Sequence, residues 1–310
     1  MTQTAPADTG VIRSVSLPGR RRLLVRREGP DDAPDVMALY DRMPSEELYC
    51  RFFTSRRPPD RFVERMTRVH ERGGAALVAI RSGGPGRSVL VGEASYELLG
   101  NGDGELGIAV DRTARGWLGP FLLDAILEQA AARGVPNIEA EVLMSNRRML
   151  AVLRARGFVV VEHFLSPATL RVAVATAAGG VPSWAGRRGQ PRVLVEIPGG
   201  QWQRADAISR RGFQVLACPG PDRGGPPCGP LTGHRCPLAA GADVIVDAQP
   251  GDLGELLLAA HRRLHPDAAL CATGPDAGSR VGAGRATAVL PTDDDETARL
   301  LAALAGTGQE

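Results

Sequence analysis

The sequence contains no lysine: each of its 37 basic residues is arginine, and with the abundance of Ala, Gly and Pro this reads as GC-rich codon usage rather than chemistry. Long apolar runs are missing too. No stretch reaches the roughly 18 apolar residues that a membrane span needs, and the opening "MTQTAPADTG" has no apolar signal-peptide core. The expectation is a cytoplasmic protein with no membrane partner. Five cysteines in 310 residues are too few and too scattered for a disulfide framework in a reducing compartment. A strong net charge is absent as well: the balance is +2, the arginines alternate with acids, and no basic stripe follows a nucleic-acid backbone, so no nucleic-acid partner is expected. The densest basic run, "GRRRLLVRR" (19–27), reads as the solvated flank of a strand.

What is present suffices for two α/β domains, because 310 residues with 43% apolar side chains can fill two cores. Strand and helix patterns alternate from Leu23 to about Ala178, stop in "AAGGVPSWAGRRGQP" (177–191), and restart at Arg192. The predicted organisation is a disordered tail over 1–22, a first domain over 23–178, a linker over 179–191 and a second domain over 192–310. In the first domain, "DDAPDVMALYDRM" and "SEELYCRFF" carry apolar residues at helical spacing, while "AALVAI" (75–80), "VLVGEASYELL" (89–99) and "ELGIAV" (105–110) read as strands. "NIEAEVL" (137–143) alternates with Glu139 and Glu141 on one face, and a helix capped by Asn146 runs to Gly157 before the strand "FVVVE".

"ARGWLG" (114–119) joins a strand to an amphipathic helix that runs from about Gly119 to Arg133. The first amides of a helix lack intrahelical partners and sit at its positive end, so such a turn reads as a phosphate cradle. Trp117 stands where a bare backbone would meet a ligand most easily.

Taken in order, "PSEELYCRFF" (44–53), "GELGIAV" (104–110), "AEVLMSNRRML" (140–150) and "GF" (157–158) resemble the GNAT family of acetyl-CoA-dependent N-acetyltransferases, in particular the acetyltransferase domain of bacterial protein-lysine acetyltransferases. The resemblance covers about residues 23–165 and implies a mixed sheet in which strands 105–110 and 137–143 splay apart around the cofactor. It implies that acetyl-CoA lays its thioester along Ile108, Ala109 and Val110 and its pyrophosphate on the amides of Arg115, Gly116, Trp117, Leu118 and Gly119, Pro120 having no N–H to give. It places Asn146 near the pantetheine or the leaving thiol, and Glu105 as general base for an amine acceptor, with Glu93, Glu139 and Glu141 as the other carboxylates in reach.

Three positions depart from the family pattern: Ala114 for Gln or Arg, Trp117 for the first glycine, and Leu153 for a tyrosine that protonates the thiolate. A positive φ at position 117 would cost a non-glycine residue about 1 kcal/mol. The implied function is acetyl transfer from acetyl-CoA to an amine, on protein lysine or a small molecule, with the second domain regulating or recruiting. The alternative is a catalytically impaired GNAT fold that senses acyl-CoA or binds a partner.

The second domain, with strands at 192–197, 213–217, 243–248, 268–273 and 286–290 and helices at 199–211, 251–263 and 293–304, weakly resembles a doubly wound flavodoxin-like or receiver domain. Asp247 and Thr273 fall where a phosphoacceptor and its hydroxyl partner would. "EIPGG" replaces the acidic pair of that family and Leu290-Pro291 its lysine, so phosphotransfer is expected to fail and the domain reads as a non-phosphorylated pseudo-receiver or an unrelated doubly wound fold. Cys218, Cys228, His234 and Cys236 form a chemically adequate zinc set in one loop, but their spacing fits no common finger, so no metal is expected. Cys50 and Cys271 read as packed core residues.

Overall fold

Five antiparallel strands organise the first half of the chain: β1 (Val11–Leu17), β2 (Arg21–Arg27), β3 (Ala75–Ser82), β4 (Ser88–Leu98) and β5 (Gly104–Val110), each paired with the next. The computed structural model describes residues 10–18, 21–82, 88–165, 167–184 and 189–306, and divides into two compact units, Met1–Ile138 and Glu139–Glu310. In the first unit β1 corrects the expected tail. Val15 pairs with Leu23, and half-exposed "VIRSVSL" gains its order from that partner rather than from a strong apolar pattern of its own.

One face of this sheet is covered by α1 (Ala33–Asp41), α2 (Ser45–Phe52) and α3 (Asp60–Met66), whose Val36, Leu39, Tyr40, Leu48 and Val63 pack with Val78, Leu90 and Ala109. The other face takes α4 (Leu118–Ala132), with Leu118, Leu122 and Ile126 fully buried at helical spacing. Gly92 lets that helix sit close: a Cβ there would come within 3.0–3.1 Å of the Leu122 and Leu118 side chains.

The second unit contains β6 (Asn137–Leu143), which begins at the end of the first, then α5 (Arg147–Arg154), β7 (Phe158–Leu165) and β8 (Ala168–Ala175). It continues through β9 (Arg192–Glu196), α6 (Ala205–Ser209), β10 (Gln214–Cys218), α7 (Pro237–Ala240) and β11 (Val244–Asp247). The last elements are α8 (Gly251–Leu264), β12 (Ala269–Ala272), α9 (Ala277–Gly282), β13 (Ala288–Val289) and α10 (Asp294–Gly306). Its strands lie in the order β6-β8-β7-β10-β9-β11-β12-β13, and β9 to β13 are parallel. The helix expected over 199–211 is reduced to α6, because Gly199 and Gly200 take φ of +73° and +70° and cannot continue a right-handed turn.

Among the described residues of the stretch expected to be a linker, Val181 and Trp184 take part in the core of this unit, while residues 185–188 lie outside the described residues. Trp184 is 3% exposed and packs with Leu238, Ala239 and Ile245, and its Nε1 donates to the Leu238 carbonyl. Val159 and Ala173 belong to the same core as Leu194 and Leu216, and β7 pairs antiparallel with β10 through Val160 and Ala217. No helix among the described residues is long and apolar enough to cross a membrane.

A buried polar network closes the carboxyl ends of β9 and β11. Glu196 and Asp247 are in-register neighbours; His261 Nε2 donates to Glu196 at 2.9 Å, and Arg280 bonds Asp247 and donates to the Gln249 carbonyl at 2.8 Å. His265 lies beside His261, ring centroids 5.4 Å apart and tilted by 41°, and burial, aided by the neighbouring His261 and Arg235, lowers its pKa to about 4. Burial raises Asp247 to about 6, against the pull of the Gln249 amide and Arg280.

Two outcomes follow for this unit. Trp184→Ala is expected to cost about 3–5 kcal/mol, measured by denaturant unfolding, since it empties a core site rather than a linker. A His held below its unfolded value contributes stability that is present above pH 6.5 and lost as pH falls toward 4, whereas a raised Asp gains stability as pH falls through 6. Comparing wild type with His265→Gln cancels the Asp247 contribution. Wild type is expected to lose up to about 3 kcal/mol relative to the variant between pH 7 and pH 4.

Candidate functional site

The register of β4 and β5 decides which carboxylates share a surface. Glu93 faces Ala109, Ser95 faces Gly107 and Glu97 faces Glu105, so strand alternation puts Glu93, Glu97 and Glu105 on the α1–α2 side of the sheet. Their surroundings differ. Glu93 is 2% exposed and accepts from the Tyr40 hydroxyl at 3.0 Å and from Arg51 Nε at 3.3 Å. Glu97 accepts from Arg65 at 2.8 Å and Arg72 at 2.9 Å; burial opposes its ionisation, and the two arginines outweigh that and hold the carboxyl below its usual range. Glu105 is exposed and makes no hydrogen bond or ion pair with any described residue.

Behind Glu93 lies a second acid. Glu28 is buried, and desolvation, then the charges of Glu93 and Asp32, push its carboxyl well above the usual range, so it is held toward its neutral form. The Tyr40 phenol is pushed up by burial and then by Glu93. Burial would weaken the Arg51 charge, but Glu93, together with Tyr40 and Glu105, more than restores it. Sequence reasoning missed Glu28, Tyr40 and Arg51 as a group; the available signal was an arginine inside an otherwise apolar helical stripe, "YCRFF".

The loop after β5 is fixed by Asp111, whose carboxylate accepts from the Thr113 amide at 2.9 Å and hydroxyl at 2.7 Å. Arg115 is engaged on both counts: its guanidinium pairs with Glu47 of α2, and its amide points at the Arg112 carbonyl at 3.5 Å. The amides of Gly116, Trp117, Leu118 and Gly119 make no hydrogen bond to a described residue. The left-handed position is Gly116, φ +93°, whereas Trp117 has φ −124° and serves as N-cap of α4. The tryptophan therefore carries no left-handed strain. Its indole leans along the helix onto Phe121, with ring centroids 6.2 Å apart, and a Cβ built on Gly116 or Gly119 meets nothing within 4 Å. Ile108, Ala109 and Val110 form the end of β5 that leads into this loop.

In the second unit, Asn146 caps α5, its Oδ1 accepting from the Met149 amide at 3.2 Å, and Leu153 is fully buried as a core residue of that helix. Glu141 accepts from the Thr169 hydroxyl at 3.0 Å, and Glu139 is buried. Asp247 is 0% exposed and tied to Arg280, a cation the sequence reading looked for near residue 290; the Thr273 amide donates to the Asp247 carbonyl at 2.9 Å. Cys218 is buried, Cys228 and Cys236 are half-buried, and His234 is exposed beside Thr232 at 3.3 Å. No group of three metal-ligating side chains is assembled among the described residues. Cys271 is buried, which pushes its thiol up to about 12, but Cys50 is exposed on α2, contrary to the packed position expected for it.

The sequence model of the acetyltransferase (GNAT) domain matches residues 22–159. Among solved structures, the chain is similar to the GNAT domain of PAT from S. lividans, at 25% identity over 53% of this chain and 96% of that one, with a TM-score of 0.46. It is also similar to a cAMP-binding acyltransferase from Mycobacterium smegmatis (23% identity, 53% and 47% covered, TM-score 0.35). A third is a phosphinothricin acetyltransferase from Sinorhizobium meliloti in complex with acetyl-CoA (18% identity, 49% and 88% covered, TM-score 0.41). No curated protein matches the chain. Residues 22–159, in which the exposed Glu105 and the open loop at 116–119 both lie, match the acetyltransferase (GNAT) domain, and acetyl-CoA is the cofactor of that family.

Proposed function

We propose that this chain transfers the acetyl group of acetyl-CoA to an amine, with Glu105 as general base. The observation that carries the reading is one continuous segment, β5–loop–α4, that holds both an exposed carboxylate without a partner and four consecutive amides without partners. The residues fit the cofactor: the backbone at Gly116 and Gly119 is open, and the positive end of a 15-residue helix favours a pyrophosphate. Bound acetyl-CoA supplies an activated thioester.

In this reading the amides of Gly116, Trp117, Leu118 and Gly119 hold the pyrophosphate, with Arg115 contributing little because its own groups are engaged. The backbone of Ile108, Ala109 and Val110 lines the acyl end, and Asn146 keeps its Nδ2 for the pantetheine while its Oδ1 caps α5. Glu105 takes a proton from the incoming ammonium, since an amine attacks only as the free base. Glu93 is excluded by its two donors and Glu97 by its two arginines. Leu153 offers no proton to the thiolate, which leaves that step to solvent.

We further read residues 23–178 as the acetyltransferase body and 192–310 as a doubly wound, flavodoxin-like regulatory or recruiting body. Its strand order β10-β9-β11-β12-β13 supports this, being two-one-three-four-five in chain order. The sealed Asp247 supports a non-phosphorylated role.

Acetyl-CoA is expected to bind the full chain in a calorimetric titration, and Glu105→Gln to keep that affinity while lowering kcat/KM by about 100-fold or more near neutral pH. The deficit should shrink as pH rises and more acceptor is already deprotonated. Equal activity in the variant would remove Glu105 from the role.

The loop makes a separate prediction. Trp117→Gly is expected to leave acetyl-CoA affinity within about twofold, because position 117 is not left-handed. Gly116→Ala forces an L-residue to φ +93° and is expected to weaken binding by about tenfold, corresponding to about 1–2 kcal/mol of backbone strain. Tighter binding by the Trp117→Gly protein would show that the tryptophan impairs the cradle.

A further inference from the structure

Arg51 uses only part of its hydrogen-bonding capacity. Its Nε donates to Glu93, its guanidinium lies over the Phe52 ring at 4.8 Å, and its two terminal nitrogens make no hydrogen bond to any described residue. Their position is known from the strand beneath them. A Cβ built on Gly107 would lie 2.1 Å from Nη2 and 3.1 Å from Nη1, so the fork of the guanidinium lies on β5 where only a glycine leaves room. Glu105 is the next residue but one on the same face, about 7 Å along the strand.

We propose that Arg51 is the anion-binding half of the acceptor site, and that the acceptor is a small zwitterionic amine carrying a carboxylate one or two carbons from its amino group. This rests on the acetyltransferase reading, in which the amine meets Glu105. A free amino acid places its nitrogen and carboxylate oxygens about 3 Å apart, and a hydrogen bond of about 2.8 Å at each end gives a reach of roughly 8–9 Å, enough to bridge the about 7 Å of strand between Glu105 and the position over which the fork lies. The Arg51 side chain is 15% exposed, so an anion can reach it and yet be largely withdrawn from water, where a bidentate guanidinium contact is strongest.

The charges select the same class of molecule. Glu93 balances Arg51, burial pushes Glu28 toward its neutral form, Tyr40 donates to Glu93, and Glu97 is balanced by Arg65 and Arg72. A simple alkylamine such as a lysine side chain would satisfy Glu105 and leave the guanidinium fork to water, without the charged acceptor that makes its strongest contact. A zwitterion satisfies both ends. A purely anionic molecule would meet Arg51 but set its charge against Glu105.

The test uses the full chain and two variants. Gly107→Ala keeps Arg51 but pushes the flexible end of its side chain off the strand. Arg51→Gln with Glu93→Gln removes the fork without leaving a buried carboxylate unpaired. Acetyl-CoA consumption is followed with the proteinogenic amino acids, their carboxamides and a lysyl peptide as acceptors; melting curves and acetyl-CoA titrations verify each protein. Expected for wild type is a kcat/KM at least tenfold higher for one or more amino acids than for the matching carboxamides and the peptide. Both variants should raise the amino-acid KM at least tenfold, remove the preference over carboxamides, and keep acetyl-CoA affinity. Carboxamides or the peptide equal to the amino acids in wild type, no amino acid consumed, or a preference that survives Gly107→Ala would each overturn the proposal while the acetyltransferase reading stands. Failure of wild type to bind acetyl-CoA would instead overturn that reading, and the acceptor assignment with it.

Discussion

Three carboxylates on one face of a two-strand ladder repel one another, and the first unit is arranged around how that repulsion is relieved. The β4–β5 register places Glu93, Glu97 and Glu105 together, and each obtains a different solution. Glu93 is driven under α1 and α2, where only a guanidinium and a phenol make its burial tolerable. Glu97 stays at the rim and takes two arginines from the segment around α3. Glu105 is left in water. Glu105 makes no ion pair with a described residue and stays within reach of solvent, which is what the proposed role of base asks of it.

The same arrangement explains why Gly107 stands between Glu105 and Ala109. Arg51 reaches Glu93 from α2 across the face of β5, and its planar head needs the volume that a side chain at 107 would take. Residues of α2 thus lie on the face of β5 that also carries Glu105, although none of them belongs to the strand–loop–helix segment proposed to take the cofactor. In the proposed reading, local pattern on β5 marks the segment that takes acetyl-CoA, and the packing of a helix some fifty residues earlier bears on what can approach it.

What the sequence made legible follows that division. Strand alternation and the Asn146 cap are local properties, and β3, β4, β5, β6 and α5 lie within a residue or two of where the spacing puts them. The place of Glu105 on β5 was legible from strand alternation, and the family resemblance supplied the role proposed for it. The left-handed residue was misjudged by one position: composition flagged Trp117 as the anomaly, but the backbone places the strain-free turn on Gly116. Order that depends on a distant partner was not legible. β1 needs β2, Trp184 needs Leu238, and the burial of Arg51 needs Glu93; in each case the residue alone reads as tail, linker or surface. Gly199 and Gly200 were the opposite case, a local signal in plain view that the apolar residues around them outweighed.

The missing lysines bear on the chemistry as well. A thioester acylates an exposed primary amine without a catalyst, slowly but persistently, once the amine loses its proton. Guanidinium groups stay protonated at any physiological pH and are poor nucleophiles. Every ion pair of this site is made by arginine: Arg51 with Glu93, Arg65 and Arg72 with Glu97, Arg115 with Glu47, and Arg42 with Asp111. A lysine at any of these places would hold its carboxylate through a single ammonium and would present an acylable amine beside the acyl donor. Arginine meets the electrostatic need of a carboxylate-rich face and presents no acylable amine to compete with the acceptor proposed to meet Glu105.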